Sequence, residues 1–270
     1  MAFLERVRHY LAEFATEDGP APAFSAVMGI DKPTASGKQT IHGIHRLYQG
    51  TLQVYRGRSH DEMTGRLVSM IRDMSTEKMN SFIRIRAGGV VLDDGALVLP
   101  SLPEKHLPAL VALLIERTGA RYLGDEMVML DPVLDRAHAI RLPLLVASPD
   151  LDLLPGSGEN AGRRGRKAGP TPRQPMRLQD LNAAVADPAA VSWIVFPDFQ
   201  PDAPTAFHEI SQAEALFWLS RSILNLHIWS DRALEYMRRL LSRARVQRLT
   251  IGSMTDAVEL LAEAGARSVG

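Results

Sequence analysis

Apolar positions recur at helical spacing at the start of the chain, where Leu4, Val7, Leu11 and Phe14 form one stripe of a helix over 3–14. Such a stripe packs on the chain's own core or on a partner. Gly19-Pro20-Ala21-Pro22 ends it, and the apolar run 23–30 predicts a short strand. Residues 41–57 alternate as a pair of strands. Met63, Leu67, Met70 and Ile71 then place an amphipathic helix over 60–74, with His60 or Asp61 as its N-cap. Two strands follow, 81–92 and 96–100, joined at Asp93-Asp94-Gly95, a tight-turn signal. The segment 107–118 is apolar nearly all round, which predicts an interior helix with Pro108 in its first turn and Gly119 at its C-terminal end. Residues 120–132 read as one buried strand with Gly124-Asp125-Glu126 in its middle. Strand, helix and strand in that order predict a parallel pair with a right-handed crossover.

Beyond Pro175 the pattern predicts a short helix over 177–185 and a strong β run at 191–199. Ser211 and Glu214 have capping-box spacing and open a helix that continues to Trp229. A helix over 231–245 carries the stripe Leu234, Met237, Leu240 and Leu241. Residues 248–252 form a last strand, and 256–264 a closing helix.

Composition narrows the picture little. The 270 residues carry 31 basic and 31 acidic side chains, so no net charge steers the chain toward nucleic acid or an anionic membrane. No cysteine is present, which removes disulfides, thiolate metal sites and cysteine nucleophiles. The charged opening residues do not suit a secretory segment, and no apolar run reaches the length of a membrane helix. A cytoplasmic protein is the expectation.

Two motifs invite chemistry and fail on their details. Gly37-Lys38 follows a predicted strand, but Lys32 and Gln39 stand where a phosphate-binding loop needs a glycine and a hydroxyl, so 33–40 reads as a polar loop. His42 and His45 have the spacing of zinc ligands without a third ligand nearby, and read as ordinary strand or turn histidines. Residues 149–175 differ in composition: Gly, Pro and Ser interleave with Arg163, Arg164, Arg166, Lys167 and Arg173. They predict a flexible basic loop, and the first four of those cations are the candidates for meeting an acidic or phosphate-bearing partner.

Set in order, Leu99-Pro100, Ala120-Arg121-Tyr122-Leu123-Gly124-Asp125-Glu126, Leu130-Asp131-Pro132 and Leu142-Pro143 resemble the C-terminal kinase domain of the HPr kinase/phosphorylase family and its bacterial relatives. WIVFP at 193–197 and RLTIGSMTDAVELL at 248–261 are similar to the family's last third. The resemblance spans roughly 50–265. It implies an α/β fold of the P-loop-kinase type, a mixed sheet flanked by helices. The chain then divides into an N-terminal helix and extension (1–50), a strand–helix–strand half (51–148), the basic loop (149–175) and a C-terminal α/β half (176–270).

The same alignment marks what has changed. The family's phosphate loop falls on Ser101 for the first glycine, His106 for the second, Leu107 for the lysine and Pro108 for the hydroxyl. Leucine brings no charge to a phosphate, and proline brings neither a hydroxyl for magnesium nor an amide hydrogen. A two-residue shift brings Lys105 to the lysine position but supplies no glycine. Arg86 stands where relatives often carry histidine. Asp125, beside Glu126, matches the family's catalytic aspartate and is the carried-over candidate for base or metal ligand. The resemblance therefore implies a non-catalytic, pseudokinase-like module that binds a protein or peptide partner, without cofactor or metal. The alternative is an atypical serine kinase using ATP and magnesium through a nonstandard site. No nucleic-acid or membrane partner is expected, and the N-terminal helix suits a homo-oligomer contact as well as self-packing.

Overall fold

The computed structural model describes residues 3–15, 23–33, 40–41, 43–93, 95–101, 106–154 and 173–266. The opening helix, α1, covers Phe3–Leu11 and tightens into a 3-10 turn at Ala12–Phe14. Its buried stripe is not the predicted one. Phe3 and Val7 pack with Leu47, Met63 and Leu67, whereas Leu4 and Phe14 are 67% and 45% exposed. Strands β1 (Phe24–Val27), β2 (Lys32–Pro33), β3 (Thr40–Ile41), β4 (His45–Gln49) and β5 (Leu52–Gly57) follow; β1, β4 and β5 make a small antiparallel sheet. Helix α2 (His60–Glu77) packs beneath it. Its N-cap is Ser59, not His60 or Asp61: the Ser59 hydroxyl accepts the Glu62 amide hydrogen at 3.2 Å, which satisfies one of the free donors of the first turn.

The next strands are β6 (Ile83–Ile85), β7 (Ala87–Leu92) and β8 (Gly95–Pro100), then helix α3 (Leu107–Thr118), then β9 (Arg121–Gly124) and β10 (Val128–Asp131). The two long strands expected over 81–92 and 120–132 are each broken, at Arg86 and at Asp125–Met127. Both breaks mark a change of sheet. β6 and β10 join β11 (Arg136–His138) in a three-stranded antiparallel sheet, while β7 and β9 belong to the main one. β12 (Leu144–Ala147) pairs with β13 (Arg173–Met176).

The remaining elements are β14 (Ala190–Phe199), β15 (Ala206–His208), α4 (Gln212–Ser222), α5 (Leu226–Trp229), α6 (Asp231–Leu241), β16 (Arg245–Ile251) and α7 (Met254–Ala266). The main sheet runs β15-β16-β14-β8-β7-β9, with β8, β14 and β16 parallel and the outer pairings antiparallel. The expected pair β8 and β9 do run in the same direction around α3, but β7 lies between them and hydrogen-bonds to both. The molecule is thus a mixed α/β protein.

Side-chain alternation along β8 shows how the layers form. Leu97 and Leu99 face α3 and α7 on one side, and Ala96 and Val98 face α4 and α6 on the other. The interior position predicted for α3 holds, with Leu107, Leu110, Val111, Leu114 and Ile115 all buried. Each such side chain contributes roughly 1.5–3 kcal/mol by leaving water. Gly119 closes this helix in the left-handed conformation, at φ 68°. Over 177–185 the expected helix is only a 3-10 turn at Leu178–Leu181, because Asn182 reverses the backbone at φ 49°. The helix expected over 213–229 divides at Asn225. This fully buried side chain accepts the Arg84 amide and donates to the Phe82 carbonyl, both at 2.9 Å, and so ties the break to β6. Among the described residues, no helix is long and apolar enough to cross a membrane.

Candidate functional site

Chain direction puts the ends of β8 and β9, the start of β7 and the first turn of α3 at one edge of the main sheet. Asp125 leaves β9 there, and Gly124 before it makes the turn possible. A Cβ on Gly124 would stand 2.2 Å from the Met127 carbonyl oxygen, closer than any side chain allows. The turn aims Asp125 inward, where it is 2% exposed.

Three groups donate to its carboxylate. The Tyr122 hydroxyl lies at 2.8 Å, the Leu145 amide at 3.0 Å, and Nη2 of Arg72 at 3.1 and 3.3 Å from the two oxygens. The Tyr122 phenol is pushed well above its ordinary pKa, first by burial and then by the Asp125 charge, so it stays a hydrogen-bond donor. Arg72, from the C-terminal half of α2, is itself nearly sealed. Its Nη2 also donates to the Pro143 carbonyl at 2.8 Å, and its Nη1 meets Glu126 at 2.6 Å. Arg173 on β13 takes the other Glu126 oxygen. The result is a continuous chain, Tyr122–Asp125–Arg72–Glu126–Arg173. In it Asp125 is enclosed, while Glu126 keeps about a quarter of its side chain exposed.

The positions aligned with a phosphate loop are occupied by packing. Ser101 is buried and its amide donates to the Arg86 carbonyl at 3.1 Å. Leu107 and Pro108 are buried in the first turn of α3. His106, at the N-cap, holds Asp150 through Nδ1 at 2.8 Å and lies 5.4 Å from the Phe199 ring. A carboxylate therefore sits beside the helix end that would otherwise attract a phosphate. Lys105, Arg163, Arg164, Arg166, Lys167 and His42 lie outside the described residues. His45 stacks on His60 at 4.1 Å and accepts the Gly29 amide. Among the described residues, no group of three histidine or carboxylate side chains is placed to hold a metal ion.

A cavity of about 640 Å³ opens beside this chain, between α2 and the break from β6 to β7. Arg66, Arg72, Arg84, Arg86 and Arg173 line it, together with Asp73, Glu77 and Glu126. Sequence reading singled out Arg86 and Glu126 and placed Arg173 in the basic loop, but missed the other arginines. The alternation Ile83-Arg84-Ile85-Arg86 was the available signal for two of them. Arg66 and Arg72 carried none, because both sit within an ordinary amphipathic helix. Set against known proteins, the chain matches no protein-family model, and no curated protein matches it significantly.

Proposed function

We propose that the chain is a non-catalytic, kinase-like α/β protein of the HPr kinase/phosphorylase type, acting as a binding or regulatory module for a protein or peptide partner. The observation that carries this reading is the enclosure of Asp125. Phosphoryl transfer depends on a carboxylate that reaches the nucleophile or its metal, and on cations free to neutralise the phosphates. Here the matching carboxylate is 2% exposed and held by Tyr122, Arg72 and the Leu145 amide. Its nearest cation is committed to the same ion pair. The first turn of α3 adds to this, since Asp150 stands where negative charge of a phosphate would compete with it.

One observation favours a second reading, an atypical serine kinase using ATP and magnesium. Glu126 faces the cavity, and a carboxylate there suits a metal or a substrate hydroxyl. Calorimetric titration of Mg-ATP and Mg-ADP separates the two. The non-catalytic reading expects no binding heat for the wild-type chain at millimolar nucleotide. Micromolar binding that weakens in Glu126→Gln overturns it in favour of the kinase. Glu126→Gln is the cleaner variant, since Asp125→Asn also disturbs a buried ion pair.

A further inference from the structure

The cavity between α2 and the β6–β7 break holds more positive charge than its own residues use. Arg72 and Arg173 are committed to Asp125 and Glu126. Arg84 is 9% exposed; its Nη1 donates to the Thr76 carbonyl at 2.9 Å, and its buried Nε has no hydrogen-bond partner among the described residues. A buried guanidinium with an unused N–H carries a desolvation cost, which negative charge bound nearby offsets. Arg66 and Arg86 stand exposed at the same cavity and make no ion pair among the described residues. Two further carboxylates face them, Asp73 and Glu77. Burial is the largest influence on the Asp73 carboxyl and raises its pKa, against the pull of Arg72, Arg66 and Arg86. Met70, Met127 and Leu224 add apolar side chains to the lining.

We propose that this cavity binds a small organic oxyanion, a phosphate or carboxylate head on a short apolar body, with Arg66, Arg84 and Arg86 as its ligands. The guanidinium fork matches the paired oxygens of either head group, and charge-assisted bonds of this kind are the strong ones. The volume lies in the range of small-molecule sites. This inference rests on the cavity's own chemistry and not on the kinase-like reading, so nucleotide titration and oxyanion titration fail independently.

The test uses the whole chain with four probes: inorganic phosphate, phenyl phosphate, benzoate and the neutral benzyl alcohol. Thermal shift and calorimetry are expected to show binding of phenyl phosphate or benzoate, with the stronger of the two identifying the head group, weaker binding of inorganic phosphate, and none of benzyl alcohol. Arg66→Gln and Arg86→Gln, both at exposed positions, are each expected to lower affinity about tenfold, the loss of one charge-assisted hydrogen bond. Their melting temperatures without ligand serve as the folding control. Binding of benzyl alcohol equal to benzoate overturns the proposal. So does unchanged affinity in both variants, or the absence of any shift with all four probes at tens of millimolar.

Discussion

Arg72 carries a full charge to a place where only 4% of its side chain meets solvent, and it is tolerated because both of its Nη groups have acceptors, two of them carboxylates. Pairs of this kind are costlier to break than to replace, since removing one partner strands the other charge. Arg72→Met is therefore expected to lose about 3–5 kcal/mol of stability by urea denaturation. The double variant Arg72→Met/Asp125→Asn should lose less than the two single changes together, with a coupling of about 1–3 kcal/mol. Strict additivity would show that the pair does not hold the site closed. Asp125 and Glu126 stood out in the sequence through the family resemblance, in the middle of an apolar run. Their orientation was not legible, because the cation that fixes it lies 53 residues upstream of Asp125 on another element. Nothing in the local pattern around Arg72 distinguishes it from a solvated helix position such as Arg66.

At the scale of elements, apolar periodicity located the strands but not where they stop. The runs 81–92 and 120–132 are apolar on both sides of their breaks, since both halves pack into one shared core, so hydropathy stays continuous where the chain changes sheet. Helices were legible from their apolar positions, as the all-round apolarity of α3 and the stripe of α6 show. The failures at 177–185 and 223–225 turn on single polar residues, Asn182 and Asn225, whose backbone roles periodicity does not report. Gly65 is a third such position. It sits within α2, where glycine weakens a helix by about 1 kcal/mol relative to alanine. Yet a Cβ there would stand 2.3 Å from the Arg173 carbonyl oxygen, so its absence lets α2 lie directly on β13. Gly65→Ala is accordingly expected to destabilise the protein by about 1–3 kcal/mol despite the better propensity. A gain in the denaturation midpoint would refute this close packing.

Across the whole molecule the mixed α/β layering follows from the alternation of its strands and the all-round apolarity of α3. Less visible is how the N-terminal part responds to pH. His60 at the start of α2 stacks on the buried His45, and its pKa is lowered, first by burial and then by the His45, with Arg6 adding and Asp61 and Asp31 opposing. The folded state thus favours the neutral ring. Just below the ordinary histidine value of about 6.5 the unfolded chain takes up a proton that the folded one resists. Stability should therefore rise with pH through that window. His60→Gln is expected to flatten the slope of the urea midpoint between about pH 5 and 7, and an unaltered slope would assign the response to another group.

Because Arg72 answers carboxylates that come after α3 in the chain, residues 60–77 and 121–126 have to match each other although three strands and α3 separate them in sequence. A recombination joint falling anywhere between the two would join one lineage's guanidinium to another's acids. Such a joint keeps the ion pair only where both parents carried the same pairing, which ties α2 to the core through exchanges of sequence.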